Sequence, residues 1–110
     1  MAPDVRDWLQ PRPEGLYLPT ADAWIDPARP VARAIITHGH SDHARGGHGE
    51  VWATAPTLAI MAERYGAQPG GRRLAHGEAV ELGGVRLSLH PAGHVLGSAQ
   101  ARLEKDGAVV

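Results

Sequence analysis

The six residues His38-Gly39-His40-Ser41-Asp42-His43 constrain this chain more than any other stretch, because they set four metal-donor side chains in the order H-x-H-x-D-H. They follow Thr37 and the apolar run Val31-Ala32-Arg33-Ala34-Ile35-Ile36, whose length and β-branched content predict a buried strand. Alternate residues of an extended segment project to one side, so His38 and His40 can grip one ion. Asp42 and His43 follow as the chain turns and can reach a second ion beside it. Imidazole nitrogens joined by a carboxylate suit zinc, at roughly 2.0–2.2 Å per bond. Magnesium and calcium take oxygen shells instead. Four ordered donors read as a metal site, where a lone histidine would read as a loop residue.

Composition narrows the surroundings of that site. The chain has 110 residues, enough for one small core or for part of a larger one. It contains no cysteine, which excludes a disulfide scaffold and a thiolate zinc site. Asp4, Arg6, Asp7, Arg12 and Glu14 break up the first residues among prolines, leaving no apolar signal segment and no membrane span. A cytoplasmic location is the expectation. The net charge of −1 gives no basic footprint for nucleic acid. Bound zinc ions would nevertheless dominate the local field of such a site.

Along the chain, residues 1–14 are expected to be irregular. Gly15–Leu18 and Ala23–Ile25 are strand candidates, each closed by a proline-containing turn. Asp26 ends the second and precedes His38 by twelve positions; it is either a carboxylate that orients a ligand histidine or a solvated turn residue. Arg45, beside the ligands, could meet a phosphate or simply face solvent. Val51–Ala53 reads as a strand. A helix opens at Thr54 or Ala55 with Pro56 in its first turn and stops at Gly66, with Leu58, Met61, Ala62 and Tyr65 as its expected core stripe. Residues 68–73 are expected to form a loop with Arg72 and Arg73 solvated.

Ala79–Leu82 and Val85–Leu89 flank Gly83-Gly84, which predicts a tight hairpin with Val80 opposite Leu87 and Glu81 opposite Arg86. His94 follows at a strand end between Gly93 and Gly97, as a third imidazole for the first ion or a loop histidine. His48, His76 and His90 read as turn or surface residues, with His90 the best placed of them to support a ligand. Gln100–Glu104, a turn at Lys105-Asp106-Gly107 and Ala108–Val110 predict a last hairpin. The chain stops three residues into its returning strand, which reads as a fragment.

The segments HGHSDH and PAGHVLGSA together resemble the metallo-β-lactamase superfamily, and more narrowly its nucleases. Gly15-Leu16-Tyr17 through Trp24-Ile25-Asp26-Pro27, the helix around Thr57–Met61 and PAGHVLGSAQ are similar to the bacterial DNA-ligase-associated exonucleases. The resemblance implies an α/β chain, with residues 1–110 forming the N-terminal portion of one αββα sandwich domain. It implies a dinuclear zinc centre, with His38, His40 and His94 on one ion and Asp42 and His43 on the other. Asp26 matches the acidic motif that precedes the first histidines, which favours the orienting role. A bridging aspartate and a distal histidine would lie beyond Val110. The implied activity is zinc-dependent exonucleolytic cleavage of DNA by a metal-activated water, with Asp42 also orienting the attacking hydroxide. DNA and an ATP-dependent DNA ligase are the implied partners, in DNA repair. The same half-site could serve an ester, thioester or lactone hydrolase, an RNA-processing nuclease, or a non-catalytic zinc-binding module.

Overall fold

In a computed structural model, residues 9–39, 44–66, 69–92, 99–105 and 108–109 are described. They build two sheets and one helix. The first sheet takes its strands in chain order: β1 (Gln10–Arg12), β2 (Gly15–Leu18), β3 (Ala23–Ile25), β4 (Arg33–Ile35), β5 (Glu50–Ala53) and β6 (Gly71–Arg73). The β1–β3 part is antiparallel, and β3 to β6 run parallel. The second sheet is antiparallel in the order β10-β9-β8-β7, from β7 (Ala79–Leu82), β8 (Val85–Pro91), β9 (Ala99–Lys105) and β10 (Ala108–Val109). Helix α1 (Ala55–Tyr65) carries the chain from β5 to β6.

Side-chain alternation sorts these elements into layers. Leu18, Ala23 and Ile35 pack with Leu82, Val85, Leu87, Leu89 and Leu103, forming the core between the two sheets. Ala34, Ile36, Val51 and Ala53 face the other way and pack with Met61 of α1 and with Ala44. The run Ala34-Ile35-Ile36 is thus fully buried on both sides, which is why it is continuously apolar. Arg33 interrupts that run at its start, where it pairs with Glu50 at 3.0 Å and donates to the Ala21 carbonyl at 2.6 Å. Each fully buried leucine or isoleucine contributes about 1.5–3 kcal/mol of burial energy.

The predicted β2, β3 and β7–β8 hairpin are found, the last in the expected register of Val80 with Leu87 and Glu81 with Arg86. Gly83 and Gly84 have φ of +55° and +86°, and a Cβ on Gly83 would lie 2.1 Å from the Thr20 carbonyl oxygen, so glycine is required there. Three expectations are corrected. Residues 10–12 are a strand rather than irregular chain, because Pro11 is tolerated on a sheet edge. Residues 71–73 are also a strand, laid parallel to β5 by the α1 crossover and anchored by buried Leu74; Arg72 and Arg73 do face solvent. The inward face of α1 is Thr57 and Met61, with Leu58 partly buried, while Ala62 and Tyr65 are exposed. Thr54 caps the N-terminus of the helix, accepting the Thr57 N–H at 3.4 Å.

Candidate metal centre

Parallel pairing of β3 and β4 sets their C-terminal ends side by side. The Asp26 N–H donates to the Ile35 carbonyl at 2.9 Å, and the backbone then turns through φ +46°, a left-handed conformation that aspartate tolerates. That turn brings the half-buried Asp26 carboxylate to Thr37. Oδ1 accepts the Thr37 backbone N–H at 2.8 Å, and Oδ2 accepts the Thr37 hydroxyl at 2.6 Å. Thr37 Oγ1 lies 2.8 Å from His38 Nδ1. A threonine hydroxyl has one proton, and here it is committed to Asp26, so Oγ1 must accept from Nδ1–H. In a neutral His38 ring this tautomer puts the lone pair on Nε2, the protonation pattern of an imidazole that ligates a metal through that nitrogen.

A second strand end closes on the same point. β8 finishes at Pro91 opposite Ala99, the first residue of β9, and the Ala99 N–H donates to the Thr37 carbonyl at 2.8 Å. The residues that bracket His94 are thus held against the residue that presents His38. His40, Asp42, His43 and His94 themselves lie outside the described residues. Among the described residues, no three His, Asp or Glu side chains gather as a metal site.

Thr37 is a member of this network that the sequence pattern did not single out, and two residues of α1 are others. Arg64 Nη1 donates to the Gly39 carbonyl at 2.8 Å, and a Cβ on Gly39 would meet Ile60 Cγ2 at 2.9 Å. Nothing in the periodicity of α1 distinguishes either residue from an ordinary exposed position. The other histidines separate. His48 is corrected from a turn or surface residue to a half-buried one whose Nδ1 accepts the Val31 N–H at 3.1 Å. Burial lowers its pKa, and the Arg45 backbone carbonyl partly opposes that shift. His76 is exposed. His90 meets Ser88 Oγ at 2.9 Å on the side of β8 that faces away from the core leucines Leu87 and Leu89. The Arg45 side chain is exposed.

Two solved structures share this architecture. An HARLDQ-motif mutant of a metallo-β-lactamase from Cronobacter sakazakii superposes with a TM-score of 0.59 at 23% identity, over 92% of this chain and 54% of that one. MEM-A1, a subclass B3 metallo-β-lactamase from a soil metagenome library, gives 0.54 at 19% identity, over 93% of this chain and 53% of that one. The fold is that of the metallo-β-lactamases. In sequence, a "Probable DNA ligase" from Opitutus terrae is 41% identical over 91 residues, which is 82% of this chain but 9% of that protein. No family model matches the chain. The chain therefore spans about half the length of the metallo-β-lactamases it resembles in structure and a small part of the ligase-named relative. Among the described residues, no helix is long and apolar enough to cross a membrane.

The residue types in the two histidine-bearing segments fit a zinc ion. A His38 ring that donates Nδ1–H to Thr37 has the protonation pattern that a metal-binding imidazole needs. The other candidates supply imidazoles and one carboxylate with no thiolate, a borderline-soft set suited to zinc.

Proposed function

We propose that this chain forms part of a zinc-dependent phosphodiesterase that removes nucleotides from DNA ends. The observation that supports the reading is the Ala99–Thr37 backbone bond, which holds the residue before His38 against the first residue of β9, five positions after His94 in sequence. His38, His40 and His94 are the residues to hold a first ion, and Asp42 and His43 to hold a second. Bound zinc would supply positive charge for the scissile phosphate and lower the pKa of a water toward about 7. Asp26 acts through Thr37 to fix the tautomer and direction of the His38 ring. Asp42, as a carboxylate beside the reacting water, orients it in addition to its ligand role. Exposed Arg45 is placed one residue after Ala44 to meet a phosphate flanking the cleaved bond. DNA is favoured as substrate by the PAGHVLGSA segment and by the ligase name of the relative, which also suggests association with an ATP-dependent DNA ligase.

The rival reading is hydrolysis of an ester, thioester or lactone, favoured by the two lactamase-named structures. End-labelled single- and double-stranded DNA, assayed beside an ester, thioester and lactone panel with the zinc-loaded full-length protein, separates the two. The expected result is zinc-dependent loss of terminal nucleotides that His40→Ala abolishes. Arg45→Ala should weaken DNA binding and reduce the slope of log affinity against log salt by about 0.9 for one lost phosphate contact. Robust ester turnover with inert DNA overturns the nuclease reading.

A further inference from the structure

We propose that Arg64 is a positioning residue for the metal-ligand loop, acting on the peptide between His38 and His40. The inference rests on the reading that those histidines hold an ion. Gly39 is buried, and its carbonyl accepts from Arg64 Nη1 at 2.8 Å across twenty-five positions of sequence. The Gly39 Cα sits beneath Ile60, where a Cβ would meet three Ile60 carbons at 2.9–3.2 Å. Ile60 and Arg64 are i and i+4 on α1, neighbours on one face of the helix. One presses on the Gly39 backbone and the other holds its carbonyl.

The far flank of the loop is treated alike. Gly46 lies under the ring of Tyr65, with a Cβ position 3.1 Å from Tyr65 Cγ, and the Arg64 guanidinium is 5.7 Å from that ring's centroid. Between the flanks, Ala44 is fully buried with Met61. The last turns of α1 therefore contact Gly39 on one side of residues 40–43 and Ala44 and Gly46 on the other. The two histidines of an H-x-H pair can share an ion only if the intervening peptide has one orientation. A charged donor on its carbonyl selects that orientation, since a hydrogen bond to an ionised group is roughly twice as strong as a neutral one. This also accounts for why α1 ends in an exposed arginine that contributes nothing to the core.

The test compares the unsubstituted chain with Arg64→Ala, Arg64→Lys and His38→Ala, measuring zinc affinity by chelator competition, the visible spectrum of the cobalt-loaded protein and the thermal midpoint without metal. Arg64→Ala should weaken zinc binding about tenfold, the low end for residues that orient metal ligands. It should alter the cobalt bands while the metal-free protein stays folded, its midpoint lowered by no more than the loss that one unpaired buried carbonyl accounts for. Arg64→Lys, which retains a cationic donor, should recover part of the affinity. Two results overturn the proposal: His38-dependent zinc binding that Arg64→Ala leaves unchanged, or a loss of affinity matched by unfolding of the metal-free protein. If the unsubstituted chain shows no His38-dependent binding of zinc or cobalt, the metal reading itself fails and the proposal falls with it.

Discussion

Asp26→Asn is nearly isosteric, yet the hydrogen-bond network around Thr37 makes it a severe change. Asp26 Oδ1 accepts a backbone N–H, a donor that cannot be reversed, so the asparagine must present its carbonyl oxygen there. Its NH2 group then takes the position of Oδ2 and donates to Thr37 Oγ1, where the carboxylate had accepted. The Thr37 proton, displaced from that direction, turns toward His38 Nδ1. His38 must now accept on Nδ1 and carry its own proton on Nε2, the nitrogen a metal would use. Restoring the binding tautomer means turning the Thr37 hydroxyl away so that Oγ1 accepts from both the asparagine NH2 and His38 Nδ1–H, which costs the hydroxyl proton its acceptor in a half-buried site. We expect zinc affinity to fall about 10–100-fold, the usual range for an orienting carboxylate. That is about 1.4–2.8 kcal/mol at 1.4 kcal/mol per decade. Asp26→Ala, which leaves the Thr37 hydroxyl free to rotate, should cost no more than the asparagine despite removing more atoms. Chelator competition gives the affinities, and nitrogen chemical shifts of the His38 ring report which nitrogen is protonated. Unchanged zinc affinity in Asp26→Asn, or a His38 ring that keeps its Nδ1 proton, would refute the reasoning.

Two further outcomes are expected. Elemental analysis of the dialysed 110-residue chain should find at most one tightly held zinc ion, since only Asp42 and His43 are assigned to the second site; two retained ions on a monomer would contradict that assignment. Stability should also depend on pH through His48. Its folded pKa lies below its ordinary value of 6.5, so the unfolded chain binds the extra proton first on acidification. The contribution is therefore complete above 6.5, is lost as pH falls through that value, and levels off once the folded form protonates too. Thermal midpoints between about pH 5 and 8 should show a shallower acid slope in His48→Gln than in the parent.

The sequence was most informative where structure is local. Gly83-Gly84 between alternating strands dictated both the hairpin and its register, and the apolar run over residues 31–36 announced a buried strand, whose residues Ala34, Ile35 and Ile36 are covered on both faces. It was least informative where the deciding partner lies far away. β6 has two arginines in three residues and becomes a strand only because β5 offers it a ladder and Leu74 a core. The inward face of α1 is set by the packing of Met61 against Ala34, Ile36, Val51 and Ala53, so a periodic stripe containing Ala62 and Tyr65 is off by part of a turn. At the proposed site, the candidate donors form a pattern in the sequence, of which the structure describes His38 alone. Thr37 and Arg64 stand outside that pattern, because a lone hydroxyl before a histidine and a lone arginine late in a helix acquire their roles only through tertiary contact.

The bond from the Ala99 amide to the Thr37 carbonyl ties the first residue of β9, in the second sheet, to the residue that follows the first sheet's β4 and precedes His38. Ala99 is 5% exposed, so its proton exchanges with solvent only when the sandwich parts locally at that bond. One amide thus serves as an internal clock for the centre. Its exchange rate measures how often the arm ending at His38 separates from the strand that follows the His94 loop. An ion shared across that gap would slow the clock in proportion to its own affinity, so site assembly and the breathing of the sandwich become a single equilibrium viewed from two sides.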